Sequence, residues 1–192
     1  MTRRLRAERC PACAQPPALC VCASLVRLRQ STPVRVLAHF KEVVRPSHSA
    51  RLLPLVLTNA QVLVRGAPGD AGPSVLEVPR DALLLFPEGE VEELDPLRHR
   101  GRTLVVPDGS WPQARRAVRR EPALAGLQRV ALPPGPPPRH RLREHPQDDH
   151  LATFEAVARA LVVLEGPHLE APLNAAWDAF SAAVLRTRQG GV

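Results

Sequence analysis

The residues best placed to do chemistry are the tetrapeptide Asp108-Gly109-Ser110-Trp111. It stands between the apolar run Thr103-Leu104-Val105-Val106-Pro107 and a polar-apolar run from Pro112 to Arg120. The first run is short and β-branched, bounded by Gly101 and Pro107, and predicts a buried strand. The second opens Ser110-Trp111-Pro112-Gln113, a capping box with proline in the first turn, and predicts a helix start. An aspartate thus emerges at the carboxyl end of a strand beside a helix N-terminus, the place where open α/β sheets bind ligands. A carboxylate there can accept a proton or orient a polar hydrogen, and Trp111 can exclude water or stack on a flat ring. The bland alternative is an Asp-Gly turn followed by a core tryptophan.

A second constellation is Cys10-x2-Cys13-x6-Cys20-x-Cys22, which holds all four cysteines of the chain. In a reducing compartment such clustering points to a metal before a disulfide framework, and four thiolates suit tetrahedral zinc. Cys20 and Cys22 can flank a bend and share one ion, but a bond between them would be strained. Redox thiols are the competing reading. Pro11, Pro16 and Pro17 stiffen the loop and suit a metal-held knob over residues 1–30, preceding a domain over 31–192.

Several elements must position these groups. Val34–Phe40, Ala60–Val64, Ala82–Phe86, Thr103–Val106 and Gln128–Leu132 read as strands. Ser47–Leu57 reads as a helix kinked near Pro54, and 149–164 and 173–186 as closing helices. Residues 66–73 are a Gly/Pro loop, and 133–138 a stiff extended connector. Strands alternating with helices predict an α/β fold with a mostly parallel sheet, within the size of one domain of 192 residues. Met1–Arg6 leads into no apolar stretch and nothing resembles a membrane span, so a cytoplasmic protein is expected, with a monomer favoured.

The net charge of +7 invites a nucleic-acid partner. It is discounted by composition, since Lys41 is the sole lysine and arginine abundance accompanies a proline- and alanine-rich chain. Placement says more. Arg115, Arg116, Arg119 and Arg120 form two i,i+4 pairs on the helix after Asp108, while Arg139, Arg141 and Arg143 alternate in a second row. Arg45 and Arg51 offer a third basic site. Solvated faces are the ordinary explanation of such runs; phosphate contacts are the functional one. With two tryptophans, four phenylalanines and no tyrosine, a base-stacking sheet is excluded, so RNA would be held by its backbone with one base in a pocket.

Taken in order, these segments resemble the DTW-domain family. Asp108-Gly109-Ser110-Trp111 matches its D-x-x-W signature and Cys10 to Cys22 its N-terminal cysteine cluster. Leu85-Phe86-Pro87 matches a strand-end aromatic-proline, and Arg139 to Arg143 followed by Ala152-Thr153-Phe154-Glu155-Ala156 its C-terminal segments. Two departures are visible. Ser110 replaces threonine, and Ser47-His48-Ser49-Ala50-Arg51 stands where a Thr-Gly-Arg-like stretch is usual, so only Arg51 carries over there. The resemblance implies a SPOUT-like fold, in which the chain passes through its own backbone; nothing in the residue pattern itself marks a knot. It also implies a transferase that moves the 3-amino-3-carboxypropyl group of S-adenosylmethionine to N3 of a tRNA uridine, releasing methylthioadenosine.

On that reading Asp108 accepts or orients the N3 proton and Trp111 shapes the reacting site. Phe86, Pro87, Gly109, Ser110, Leu151 and Thr153 are the candidate cofactor contacts, Gly109 because it lacks Cβ and Ser110 because helix N–H groups beside it can hold a carboxylate. Glu155 has the alternative of pairing with an arginine, and His39, at a strand end, that of a structural role. Competing functions are a SPOUT-like RNA methyltransferase, an aminocarboxypropyltransferase acting on ribosomal RNA, and a zinc-knob RNA-binding protein without catalysis.

Overall fold

The structure, a computed structural model, describes residues 8–67, 78–142 and 150–189. Six strands form one all-parallel sheet: β1 (Val34–His39), β2 (Ala60–Arg65), β3 (Leu83–Leu85), β4 (Glu92–Glu93), β5 (Leu104–Asp108) and β6 (Gln128–Ala131). Their order across the sheet is β2-β1-β5-β3-β6-β4. The helices are α1 (Phe40–Val43), α2 (Leu53–Val56), α3 (Pro96–His99), α4 (Trp111–Arg120), α5 (Thr153–Glu165) and α6 (Glu170–Arg188). The expected α/β class and parallel sheet are what the chain forms.

Strand alternation sorts side chains onto two faces. Val34, Val36, Leu83, Leu85, Leu104 and Val106 join the larger core, with Phe154, Leu161, Trp177 and Phe180 of α5 and α6 and with Leu52, Leu53 and Leu57. Leu37, Leu84 and Val105 face the other way, onto Phe86, Ala114 and Leu124. Both faces are covered, which is why these strands are continuously apolar. The larger core also takes in Cys13 and Val21, so the cysteine segment packs on the same core as the sheet.

This parity decides where the chemistry points. Asp108 shares the phase of Leu104 and Val106, so its carboxylate turns toward the α5 side. His39 shares the phase of Leu37, so its ring turns toward α4. Ala38 stands beside Asp108 in the β1–β5 register. From β1 the chain runs outward to β2, whereas from β5 it passes through α4 to β6 on the far side of β3. The carboxyl ends of β1 and β5 therefore flank the point where connections diverge, the place where open α/β sheets form their ligand crevice.

Two expectations are corrected in detail, and one further segment forms elements that the sequence did not suggest. The segment 47–57 is a 3-10 turn, Ser49–Leu52, followed by the short α2, because Pro54 has no N–H and fits only the first turn of a helix. The helix expected from 149 begins at Thr153, with Ala152 as its N-cap; Asp149 lies outside the described residues. Strand β4 and helix α3 lie in a segment that gave no signal, as an acidic Glu-Glu pair and four residues after Asp95 carry no period. The connector 133–138 is pinned by Arg159, whose guanidinium donates to the carbonyls of Pro136 (2.6 Å) and Pro137 (2.9 Å).

Candidate active site and cysteine centre

Asp108 is the last residue of β5, with its side chain 8% exposed. Both carboxylate oxygens are engaged: Thr153 Oγ1 donates to Oδ1, and His48 Nε2 meets Oδ2 at 2.8 Å. Thr153 opens α5, so the anion also faces a helix N-terminus, where partial positive charge favours it. Ser49 Oγ accepts the free N–H of Phe154 at 3.3 Å. The end of β5, the 48–49 turn and the start of α5 thus close on one another. His48, which sequence reasoning left without a role, is fully part of this clasp; its only signal was the departure from a Thr-Gly-Arg-like stretch.

On the other side of the strand end, Ser110 and Gln113 form the expected capping box, with the Ser110 N–H donating to Gln113 Oε1 at 2.7 Å. A Cβ on Gly109 would lie 3.0 Å from both Cβ and Oε1 of Gln113. The glycine is therefore required by the cap itself. Gln113 Nε2 and the backbone N–H of Lys41 both reach His39 Nδ1 at 3.2 Å, so that nitrogen is the acceptor and the proton sits on Nε2. Burial, reinforced by the charges of Lys41 and Arg116, holds the His39 pKa below its ordinary value. His39 caps α1 and braces α4 as a neutral ring.

Trp111 is partly buried and forms a wall. Its indole N–H donates to His150 Nδ1 at 2.8 Å, its ring lies 4.7 Å from His150 and 5.8 Å from Phe86, and Arg115 sits over it at 5.9 Å. His150 had no signal, being an isolated histidine on a loop. Phe86 is buried, Pro87 is exposed, and Leu151 is half-buried just before α5. The arrangement offers an aromatic wall for a flat ring and a nearly buried carboxylate held by two donors.

The arginines separate into distinct groups. Arg115 clamps Glu88, with Nε at 2.9 and 2.8 Å from its two carboxylate oxygens, and this hydrogen bonding pulls the Glu88 pKa down. Arg116, Arg119 and Arg120 are exposed on the same helix. Arg51 turns inward, donating to the carbonyls of Val43 (2.6 Å) and Arg45 (3.2 Å), and Arg45 lies 3.6 Å from Glu42. Arg139 pairs with Asp178 at 2.8 Å, and its backbone N–H reaches Glu155, which also holds Arg159. Arg141 is exposed, and Arg143 lies outside the described residues.

The four cysteine sulfurs lie within 4.8 Å of one another, with Cys10 and Cys22 3.7 Å apart and Cys13 and Cys20 3.8 Å apart. A tetrahedron with Zn–S bonds of about 2.3 Å has sulfur–sulfur edges of about 3.8 Å. Backbone N–H groups of Cys13 and Ala12 lower the Cys10 pKa to about 6, whereas burial and the neighbouring thiols push Cys22 up. Four thiols this close cannot all ionise without a cation between them, and the donor set fits zinc.

A model of the DTW domain matches residues 7–185. The chain belongs to the DTW-domain family. It is 30% identical over 170 residues to a Drosophila melanogaster protein, tRNA-uridine aminocarboxypropyltransferase 2, covering 83% of this chain and 68% of that protein. A solved structure of the SAM-dependent rRNA:acp-transferase Tsr3 from Vulcanisaeta distributa is a looser likeness. Its TM-score is 0.48 at 18% identity, over 82% of this chain and 79% of that one. Among the described residues no helix is long and apolar enough to cross a membrane.

Proposed function

We propose that this chain is a tRNA-uridine aminocarboxypropyltransferase. It moves the 3-amino-3-carboxypropyl group of S-adenosylmethionine to N3 of a uridine and releases methylthioadenosine. The observation that carries the reading is the buried carboxylate of Asp108, held by two donors at the divergence of β1 and β5 in a chain of this family. The relative that shares 30% of its residues supports the reaction class.

The sulfonium supplies the leaving group, so the protein's task is to align N3 and accept its proton. Each oxygen of Asp108 retains a lone pair beyond the one His48 or Thr153 occupies, and one of these receives the N3 hydrogen. The aromatic wall of Phe86 and Trp111 suits a flat ring. At the start of α4 the capping box already takes the N–H groups of Ser110 and Gln113, and Pro112 has none, so that turn offers a cofactor carboxylate little. Exposed Arg116, Arg119 and Arg120 meet the tRNA backbone. On this reading the knob is a structural zinc site in a cytoplasmic enzyme, and metal analysis of protein purified without chelator gives about one zinc per chain.

The deciding experiment is purified protein with S-adenosylmethionine and unmodified tRNA, followed by mass spectrometry of nucleosides. An aminocarboxypropyl adduct on uridine is expected; a methyl adduct, or binding without adduct, overturns the proposal. Asp108→Asn keeps the shape but cannot take the proton, so turnover falls by far more than tenfold, about 1.4 kcal/mol in barrier, with cofactor affinity kept. Retained turnover would show that Asp108 only holds the turn.

A further inference from the structure

His48 and Asp108 are the most completely buried ionisable pair at the site, with side chains 3% and 8% exposed and 2.8 Å between Nε2 and Oδ2. A carboxylate can only accept, so in the neutral ring the hydrogen of that contact is carried by His48 Nε2. With Thr153 Oγ1 donating to Oδ1, the two oxygens are fixed by donors on two different segments. Rotation of the carboxylate about its Cβ–Cγ bond is then blocked.

The backbone that carries the imidazole is itself held in place. The His48 main-chain N–H donates to the Arg45 carbonyl at 3.0 Å, and Ser49 Oγ accepts from the Phe154 N–H on α5. Arg51 ties Val43 and Arg45 from behind, and Gln15 Nε2, from the cysteine segment, donates to the Pro46 carbonyl at 2.8 Å. The turn is anchored on every side, and the one side chain it delivers to the strand end is His48. A structural need to satisfy a buried carboxylate would be met by any donor. The rigidity of this mount goes further, since it fixes direction as well as charge.

We propose that His48 is a positioning residue for the transfer, acting through Asp108. It donates from Nε2, holds the Asp108 carboxylate in one orientation, and turns its unoccupied lone pair toward the crevice. As the N3–carbon bond forms, the N3 hydrogen moves to an Asp108 oxygen, and the carbon–sulfur bonding pair leaves with methylthioadenosine. The His48 hydrogen stays on Nε2 throughout. This inference rests on the proposed reaction and on Asp108 as its proton acceptor.

The test compares His48→Gln, which keeps a side-chain N–H donor at similar reach, with His48→Met, which fills the space without one. Both are assayed as the full chain with S-adenosylmethionine and unmodified tRNA, beside melting curves and cofactor titration. His48→Met is expected to lower kcat about 100-fold with KM for S-adenosylmethionine unchanged, while His48→Gln stays within about tenfold of wild type. Both should bind the cofactor like wild type. If His48→Met fails to fold, His48→Asn, whose shorter amide cannot reach Oδ2, takes its place. A non-donor variant with wild-type kcat overturns the inference, as does a His48→Gln as slow as His48→Met. A wild-type chain that forms no uridine adduct overturns the reaction itself, a result distinct from either.

Discussion

Gly109 and Thr153 are small residues read from sequence as candidate cofactor contacts, and each also has a partner within the protein. The space that Gly109 leaves is filled by Gln113, whose Cβ and Oε1 would each lie 3.0 Å from an added methyl group. Gly109→Ala should push Gln113 off the Ser110 N–H and release the cap of α4. A cap is worth about 1 kcal/mol, which in a chain of this size lowers Tm by about 2–4 °C. An unchanged Tm would show that Gln113 moves freely and that the cap does not need the glycine. Thr153 spends its hydroxyl on Asp108, and Arg51 its guanidinium on two carbonyls. Sequence exposes residue type and order, which is why Asp108, Trp111 and the cysteines were legible. It does not expose which donor lies across from which acceptor when they are 45 or 60 residues apart, as Thr153 and His48 are from Asp108.

Elements with a strong local pattern were legible for a physical reason: a strand covered on both faces must be apolar at every position, and Leu83–Leu85 and Leu104–Val106 are. The two-residue β4 is defined by its pairing with Val130 and Ala131, a long-range event with no local trace. The junction of α5 with the start of β1 is of the same kind. Glu165, the last residue of α5, accepts from the backbone N–H groups of Ser31 at 3.0 Å and Thr32 at 2.6 Å. Burial raises its pKa, but these hydrogen bonds outweigh burial and the net shift is downward. A carboxyl lowered on folding stabilises above its unfolded pKa and loses that contribution as pH falls through its folded value. Glu165→Gln should therefore cost about 1 kcal/mol near pH 7, given partial exposure, and the difference from wild type should shrink below about pH 4. Urea melts at the two pH values check this; a gap that persists unchanged in acid would remove the charge from the account.

Across the whole molecule, a charge of +7 is meaningful only where it is uncompensated. Much of it is not free: Arg139 is paired with Asp178, Arg159 with Glu155, and Arg115 with Glu88 against the Trp111 ring. The exposed set beside the crevice is Arg116, Arg119 and Arg120, on the helix that begins three residues after Asp108. Arg116 is also close enough to His39 to oppose its protonation, which places its charge at the carboxyl end of β1. If this face meets tRNA phosphates, Arg116→Ala with Arg120→Ala should weaken binding alike for every tRNA sequence. It should also flatten the slope of log affinity against log salt by about 0.7–0.9 for each phosphate no longer neutralised. Arg115→Ala should leave the slope nearly unchanged, because its charge is already neutralised by Glu88, and should instead loosen Trp111. S-adenosylmethionine titrations should be unaffected by the Arg116 and Arg120 pair. A merely solvated face predicts tRNA affinity like wild type and a stability change within about 0.5 kcal/mol. An unchanged slope in the double variant would take this helix out of the RNA surface and move attention to exposed Arg141.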